Sequence, residues 1–98
     1  MLEDNTRAAI ANSLDELAAQ DVWSADAWQR CYDLVGDNMD KDDLVAYVHD
    51  DLIHYTGTPL FRSAPRPKDF APYRQQFRDV ATALRSHMSL AEYKQKYE

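Results

Sequence analysis

Seven aspartates and one lysine fall between Asp33 and Asp51, the densest run of chemistry-bearing side chains in the sequence. Clustered aspartates bind calcium when ligands alternate along a loop that has glycine at its sixth position and glutamate at its twelfth. Counted from Asp37 those places hold Asp42 and Val48, and counted from Asp40 they hold Val45 and Asp51, so the calcium signature fails. His49 and Asp50 form an adjacent pair of the kind used by metal-dependent phosphohydrolases, with Asp51 and His54 close by. Such a site needs further ligands to complete its shell, and His87 is the one other histidine. At about 100° per residue, His49 and His54 point about 140° apart on a helix and do not chelate one ion together. Asp50 and His54, at i and i+4, can face one another as a hydrogen-bonded or ion pair.

Nucleophilic chemistry has less to work with. The serines at 13, 24, 63, 86 and 89 fall in expected caps, loops or polar helix faces, and none sits in a glycine-flanked elbow. Gly36 and Gly57 are the only glycines, each beside an expected helix end, so no phosphate-cradling loop is formed. Cys31 has no partner for an internal disulfide and lies on an apolar helical face, where it reads as a small buried hydrophobe. These residues favour a binding protein over an enzyme, with no cofactor implied. A cytoplasmic, reducing setting is the matching expectation.

Charge is divided unevenly along the chain. Residues 1–60 carry three basic groups against thirteen carboxylates, formally −10, and residues 61–98 carry eight against four, formally +4. The net −6 attracts basic surfaces and repels nucleic-acid phosphate, with the basic second part as the exception. The longest apolar runs, such as Leu44 to Val48, fall far short of the ~20 residues that span a bilayer, so no membrane association is expected. Met1-Leu-Glu-Asp-Asn opens with acid where a secretory signal has a basic and then an apolar region, which argues against export by that route.

The elements that must position these groups are helices, because apolar residues recur at helical spacing and nowhere alternate as in a strand. The chain is expected to form a single all-α domain over 1–98, a compact four-to-five-helix bundle. A first helix from about Thr6 to Gln20 buries Ile10, Leu14, Leu17 and Ala18, capped by Asp4 or Asn5. A second runs from a Ser24 cap to a Gly36 stop, with Trp28, Cys31, Tyr32 and Val35 on one face. A third, from about Lys41 to Thr56, buries Leu44, Val45, Val48, Leu52 and Tyr55 and stops at Gly57. A fourth starts at Phe70 or Pro72, repeats Tyr73, Phe77, Val80, Ala81, Leu84 and Met88, and reaches His87. A short fifth, Leu90 to Tyr97, packs through Leu90, Tyr93 and Tyr97. Three starts share a hydrophobic staple: Trp23 with Trp28 around Ser24, Met39 with Leu44 around Asp40, and Met88 with Tyr93 around Ser89. Glu92 adds a Ser-x-x-Glu capping box to the last.

Helices three and four are joined by one long proline-containing connection, residues 58–69, which holds three of the four prolines. It reads either as a crossover strap pinned by Leu60 and Phe61 or as a docking loop with Phe61 as anchor and Arg62, Arg66 and Lys68 as charges. On helix three, Asp43, Tyr47, Asp50 and His54 form a line beside the core stripe, either a solvated face or a protein-binding one. Arg74, Arg78 and Arg85 form a comparable line on helix four, to be neutralised by helix-three aspartates or left as an anion-binding patch.

Asp51-Leu52-Ile53-His54-Tyr55 resembles the Asp-Leu-Ile-Tyr-Tyr segment of colicin nuclease immunity proteins, small acidic four-helix proteins that block a basic toxin. The likeness covers five residues, with histidine for tyrosine at 54 and without the family's flanking prolines and glycine. It implies that Asp51, His54 and Tyr55 contact a partner, whereas the apolar pattern assigns Tyr55 to the core. The leading expectation is therefore a non-enzymatic inhibitor, immunity-type or anti-defence protein that docks on a basic toxin, nuclease or nucleic-acid-binding protein. Its carboxylates would serve as a nucleic-acid mimic in one form of this reading. The contact residues expected are Asp43, Tyr47, Asp50, Asp51, His54, Phe61, Arg62 and Arg66. Direct nucleic-acid binding through the basic loop and helix four is the alternative, and a small metal-dependent enzyme comes third.

Overall fold

A computed structural model of the chain describes residues 2–19, 25–56 and 67–98, with the side chains of 25, 54–56 and 67–72 outside that description. The described residues form five helices and no strand: α1 Asp4–Ala18, α2 Ala25–Asn38, α3 Asp43–Thr56, α4 Pro67–Arg85 and α5 Leu90–Tyr97. The all-α bundle expected from helical periodicity is the fold observed. The predicted stripes are its core: Ile10, Leu14, Val35, Leu44, Val48, Leu52, Phe77, Val80 and Leu84 are each 0% exposed. They join Trp28, Cys31 and Tyr93 in one apolar cluster. Burying side chains of this size contributes roughly 1.5–3 kcal/mol each, the main force holding the helices together.

The helix ends correct the sequence reading in four places. α1 starts two residues early, so Asp4 and Asn5 lie inside it, and Glu3 occupies the cap position without a side-chain bond. Leu2, only 4% exposed, fastens the chain to the core just ahead of that start. Gly36 does not stop α2, which runs on to Asn38. Asn38 closes it instead, its Nδ2 donating to the Leu34 carbonyl at 2.8 Å while its own carbonyl accepts from the Lys41 amide at 3.0 Å. The cap of α3 is Asp42 and not Asp40: Asp42 Oδ1 accepts from the amides of Leu44 at 2.9 Å and Val45 at 3.3 Å. Met39, expected to staple onto Leu44, is 39% exposed. α4 begins at Pro67, ahead of the Phe70 or Pro72 start of the sequence reading, with proline in its first turn. The last three residues of the expected 58–69 connection thus belong to a helix. The Ser24 cap, the Trp23 staple, the Gly57 stop and the rest of that connection lie outside the described residues.

At its far end α4 closes in a left-handed residue, His87 at φ 58°. The His87 amide donates to the Leu84 carbonyl at 3.2 Å and the Met88 amide to that of Ala83 at 3.0 Å, a Schellman closure that turns the chain into α5. The predicted capping box then starts α5: Ser89 Oγ accepts from the Glu92 amide at 3.2 Å, and Glu92 Oε1 from the Ser89 amide at 3.0 Å. These bonds hold the Glu92 carboxyl below the usual carboxylate range.

Among the described residues α1 to α4 form a ring in which each helix packs on two others, α1 on α2 and α4, α3 on α2 and α4. α1 and α4 are antiparallel, since Arg74 meets Ala18 while Arg85 meets Asn12. α2 and α3 are antiparallel too, with Trp28 against Leu52 and Tyr32 against His49. Among the described residues the short α5 lies on α3 and α4 alone, so it forms one wall of whatever those two leave open.

Candidate functional site

The line expected on α3 divides in the structure. Asp43 and Asp50 are exposed, whereas Tyr47 is half-buried beneath α5. Its hydroxyl donates to Glu98 Oε2, its ring lies 6.0 Å from that of Tyr93, and Lys94 Nζ sits 5.1 Å from its centroid. The bond to Glu98, burial, and the Glu98 and Asp51 charges push the Tyr47 hydroxyl up to about 12. Asp51, one helical turn on from Tyr47, accepts from Gln76 Nε2 of α4. The side chains of His54 and Tyr55, and all of Phe61, Arg62 and Arg66, lie outside the described residues. Next to Asp51, Leu52 is fully buried and Ile53 half-buried.

Tyr47 and Asp51 open onto a cleft between α3, α4 and α5 of about 670 Å³. Tyr73, Gln75, Gln76 and Asp79 of α4 and Tyr93, Tyr97 and Glu98 complete its lining. The sequence reading had assigned Tyr73, Tyr93 and Tyr97 to packing, which they do, and had given Gln75, Gln76, Asp79 and Glu98 no role. The i, i+4 pairs Gln75 with Asp79 and Tyr93 with Tyr97 were the available signal.

A second acidic region lies at the α2–α3 corner, where Asp37, Asp40 and Asp43 are all exposed. None of the three has an ion pair among the described residues. Asp42 between them turns inward and meets Arg7 at 3.3 Å.

The arginines of α4 do not turn to the α3 aspartates, as the sequence reading allowed, but to α1. Arg74 Nε donates to the Ala18 carbonyl at 3.0 Å and an Arg78 guanidinium nitrogen to the same oxygen at 3.4 Å. Arg85 pairs with Asp15 at 2.6 Å and donates to Asn12 Oδ1 at 2.7 Å. Cations placed here complement the negative end of the α1 dipole and satisfy a carbonyl left over by the helix.

The remaining chemistry-bearing groups serve packing. His49 stacks on Tyr32 at 5.0 Å, and Tyr32 on Trp28 at 4.7 Å, an aromatic column along the α2–α3 seam. Gly36 faces that histidine without being required by it: a Cβ there would stand in ordinary contact, 3.6 Å from His49 Nε2. Cys31 is buried, and burial above all pushes its thiol up to about 12, away from the thiolate that reacts. Among the described residues no three His, Cys, Asp or Glu side chains converge as metal ligands, and no helix is long and apolar enough to cross a membrane.

Comparison of the chain with protein-family models, with curated proteins and with solved structures returns no match.

Proposed function

We propose that this chain is a non-enzymatic binding protein that docks its acidic side on the basic surface of a partner protein and inhibits it. The observation that supports this most is how the charges are disposed. Asp37, Asp40, Asp43 and Asp50 are exposed along α2, the corner and α3, while Arg74 and Arg78 of α4 are bonded to α1. The exposed Asp37, Asp40 and Asp43 therefore do not cancel against the arginines of α4. Asp37, Asp40 and Asp43, which have no ion pair among the described residues, would steer a basic partner and fix its register, and nearby aromatic side chains supply contact area. A toxin, a nuclease or a nucleic-acid-binding protein has such a surface, and the carboxylates would stand where nucleic-acid phosphates otherwise sit. A buried, unreactive Cys31 suits the cytoplasm, the setting this reading assigns. Direct nucleic-acid binding has less support, because Arg74, Arg78 and Arg85 have partners on α1.

Capture from native lysate tests the proposal, with wild-type chain compared against the triple reversal Asp37→Lys, Asp43→Lys and Asp50→Lys. A partner retained by the wild type, lost by the reversal and released by moderate salt is expected. Equal recovery by both proteins overturns the reading. Duplex DNA competing for the same partner would identify the mimic form.

A further inference from the structure

We propose that the cleft between α3, α4 and α5 receives an arginine side chain from the basic partner, an assignment that rests on the docking reading above. Its walls carry four tyrosines, Tyr47, Tyr73, Tyr93 and Tyr97, and three carboxylates, Asp51, Asp79 and Glu98. Among the described lining residues there is no cation. Each carboxylate is oriented by a neutral donor: Glu98 by the Tyr47 hydroxyl, Asp51 by Gln76, and Asp79 Oδ1 by Gln75 Nε2 at 2.9 Å. For Asp79 and Glu98 that donor fixes the carboxylate in place without cancelling its charge. The tyrosine rings already attract ammonium groups at the rim, where Lys94 lies over Tyr47 at 5.1 Å and Lys96 over Tyr97 at 5.5 Å. The Tyr93 hydroxyl registers the same field, pushed up by burial first and then by Asp79, Glu98 and Asp51.

Aromatic faces beside fixed carboxylates suit guanidinium better than the other cations. Its plane stacks on a ring while its fork of N–H donors engages a carboxylate, and it sheds water more readily than an ammonium. A divalent metal would need oxygen ligands converging at roughly 2.0–2.6 Å, and among the described residues no such group converges. About 670 Å³ exceeds one side chain, so an arginine carried on a chain segment fits better than a free amino acid.

The test is a titration of the wild-type chain with an arginine-rich peptide, its lysine and citrulline counterparts, and free L-arginine, read by backbone amide shifts. Saturable binding of the arginine peptide is expected, with shifts centred on the cleft residues, several-fold weaker binding of the lysine peptide and none of the citrulline peptide. Asp79→Asn and Tyr97→Leu, each checked for unchanged circular dichroism, should weaken the arginine peptide about tenfold, the loss expected for one charged hydrogen bond or stacked ring. Asp37→Asn should change its affinity less than about twofold, since distant surface charges are screened. Equal affinity for the arginine and citrulline peptides, no effect of either cleft variant, or shifts centred on Asp37 and Asp43 would each overturn the pocket. Free L-arginine binding as tightly as the peptide would overturn its assignment to a protein partner. No natural partner enters this titration, so the pocket can fail while charge-dependent partner capture stands, and the reverse.

Discussion

The two long sides of α4 handle charge in opposite ways. Toward α1, Arg74 and Arg78 meet a helix-end carbonyl and Arg85 meets a carboxylate, so each guanidinium is neutralised or bonded within the fold. Toward α3 and α5, Asp79 accepts from the Gln75 amide and Glu98 from the Tyr47 hydroxyl, neutral donors that leave their charge in place. Groups of the first kind hold helices together, because removing one strands a partner. Groups of the second kind are positioned without being cancelled, which suits an external cation. The same helix thus serves as structural seam on one side and candidate contact surface on the other.

That contrast is best broken on the α1 side, where the largest effect is expected. Arg74→Met keeps much of the apolar stem but removes the bond to the Ala18 carbonyl, and it should lower unfolding stability by about 1–2 kcal/mol. Asp79→Asn keeps an acceptor for Gln75 and relieves repulsion with nearby carboxylates, so its cost should be under about 0.5 kcal/mol. Urea unfolding of both variants is the measurement. If Asp79→Asn costs as much as Arg74→Met, the carboxylates of the cleft are structural and the contrast disappears.

A smaller effect, of opposite sign, is expected at the α2–α3 seam. Gly36 is helical, and an added Cβ would make ordinary contacts with His49 at 3.6 and 3.7 Å. Gly36→Ala should then stabilise the chain by about 0.5–1 kcal/mol through helix propensity alone. A loss of similar size in the same unfolding assay would mean that the residue needs the left-handed conformation of a helix stop.

Gly36 also marks where the sequence stopped being legible. The five helices and their apolar faces could be read because burial at every third or fourth residue leaves a period, and Ile10, Val48, Phe77 and Tyr93 are buried as that period requires. Helix ends depend on single residues that several positions can supply. The sequence reading placed the α3 cap at Asp40 and the α4 start at Phe70 or Pro72, and tertiary packing put them at Asp42 and Pro67 instead. On the candidate site, Tyr47 and Asp51 were legible as a helix-three surface. The opposite walls were not, since Asp79 and Tyr97 come within reach only through the way α4 and α5 pack on α3. The arginine line was seen but not its partner, because periodicity along α4 carries no information about which helix end lies beside it.

The smallest expected effect concerns Tyr47, and it separates a cleft that is charged from one that is merely polar. The bond to Glu98, followed by burial and the Glu98 and Asp51 charges, raises this hydroxyl from its ordinary value of 10.0 to about 12 in the folded chain. A folded state that keeps the proton to higher pH is favoured while the hydroxyl stays neutral. The contribution of Tyr47 to stability is therefore complete below pH 10.0 and is lost as the pH rises through about 12. Tyr47 is partly open to water, so screening keeps this contribution small at neutral pH. Phenolate absorbance recorded against pH for wild type, Tyr47→Phe and Asp51→Asn resolves the causes. Tyr47→Phe should remove one late-titrating tyrosine, and Asp51→Asn should move that step to lower pH by relieving a negative neighbour. A Tyr47 step at the ordinary tyrosine value would mean that Glu98 and Asp51 exert no field on the cleft, leaving a guanidinium nothing to recognise there beyond the rings.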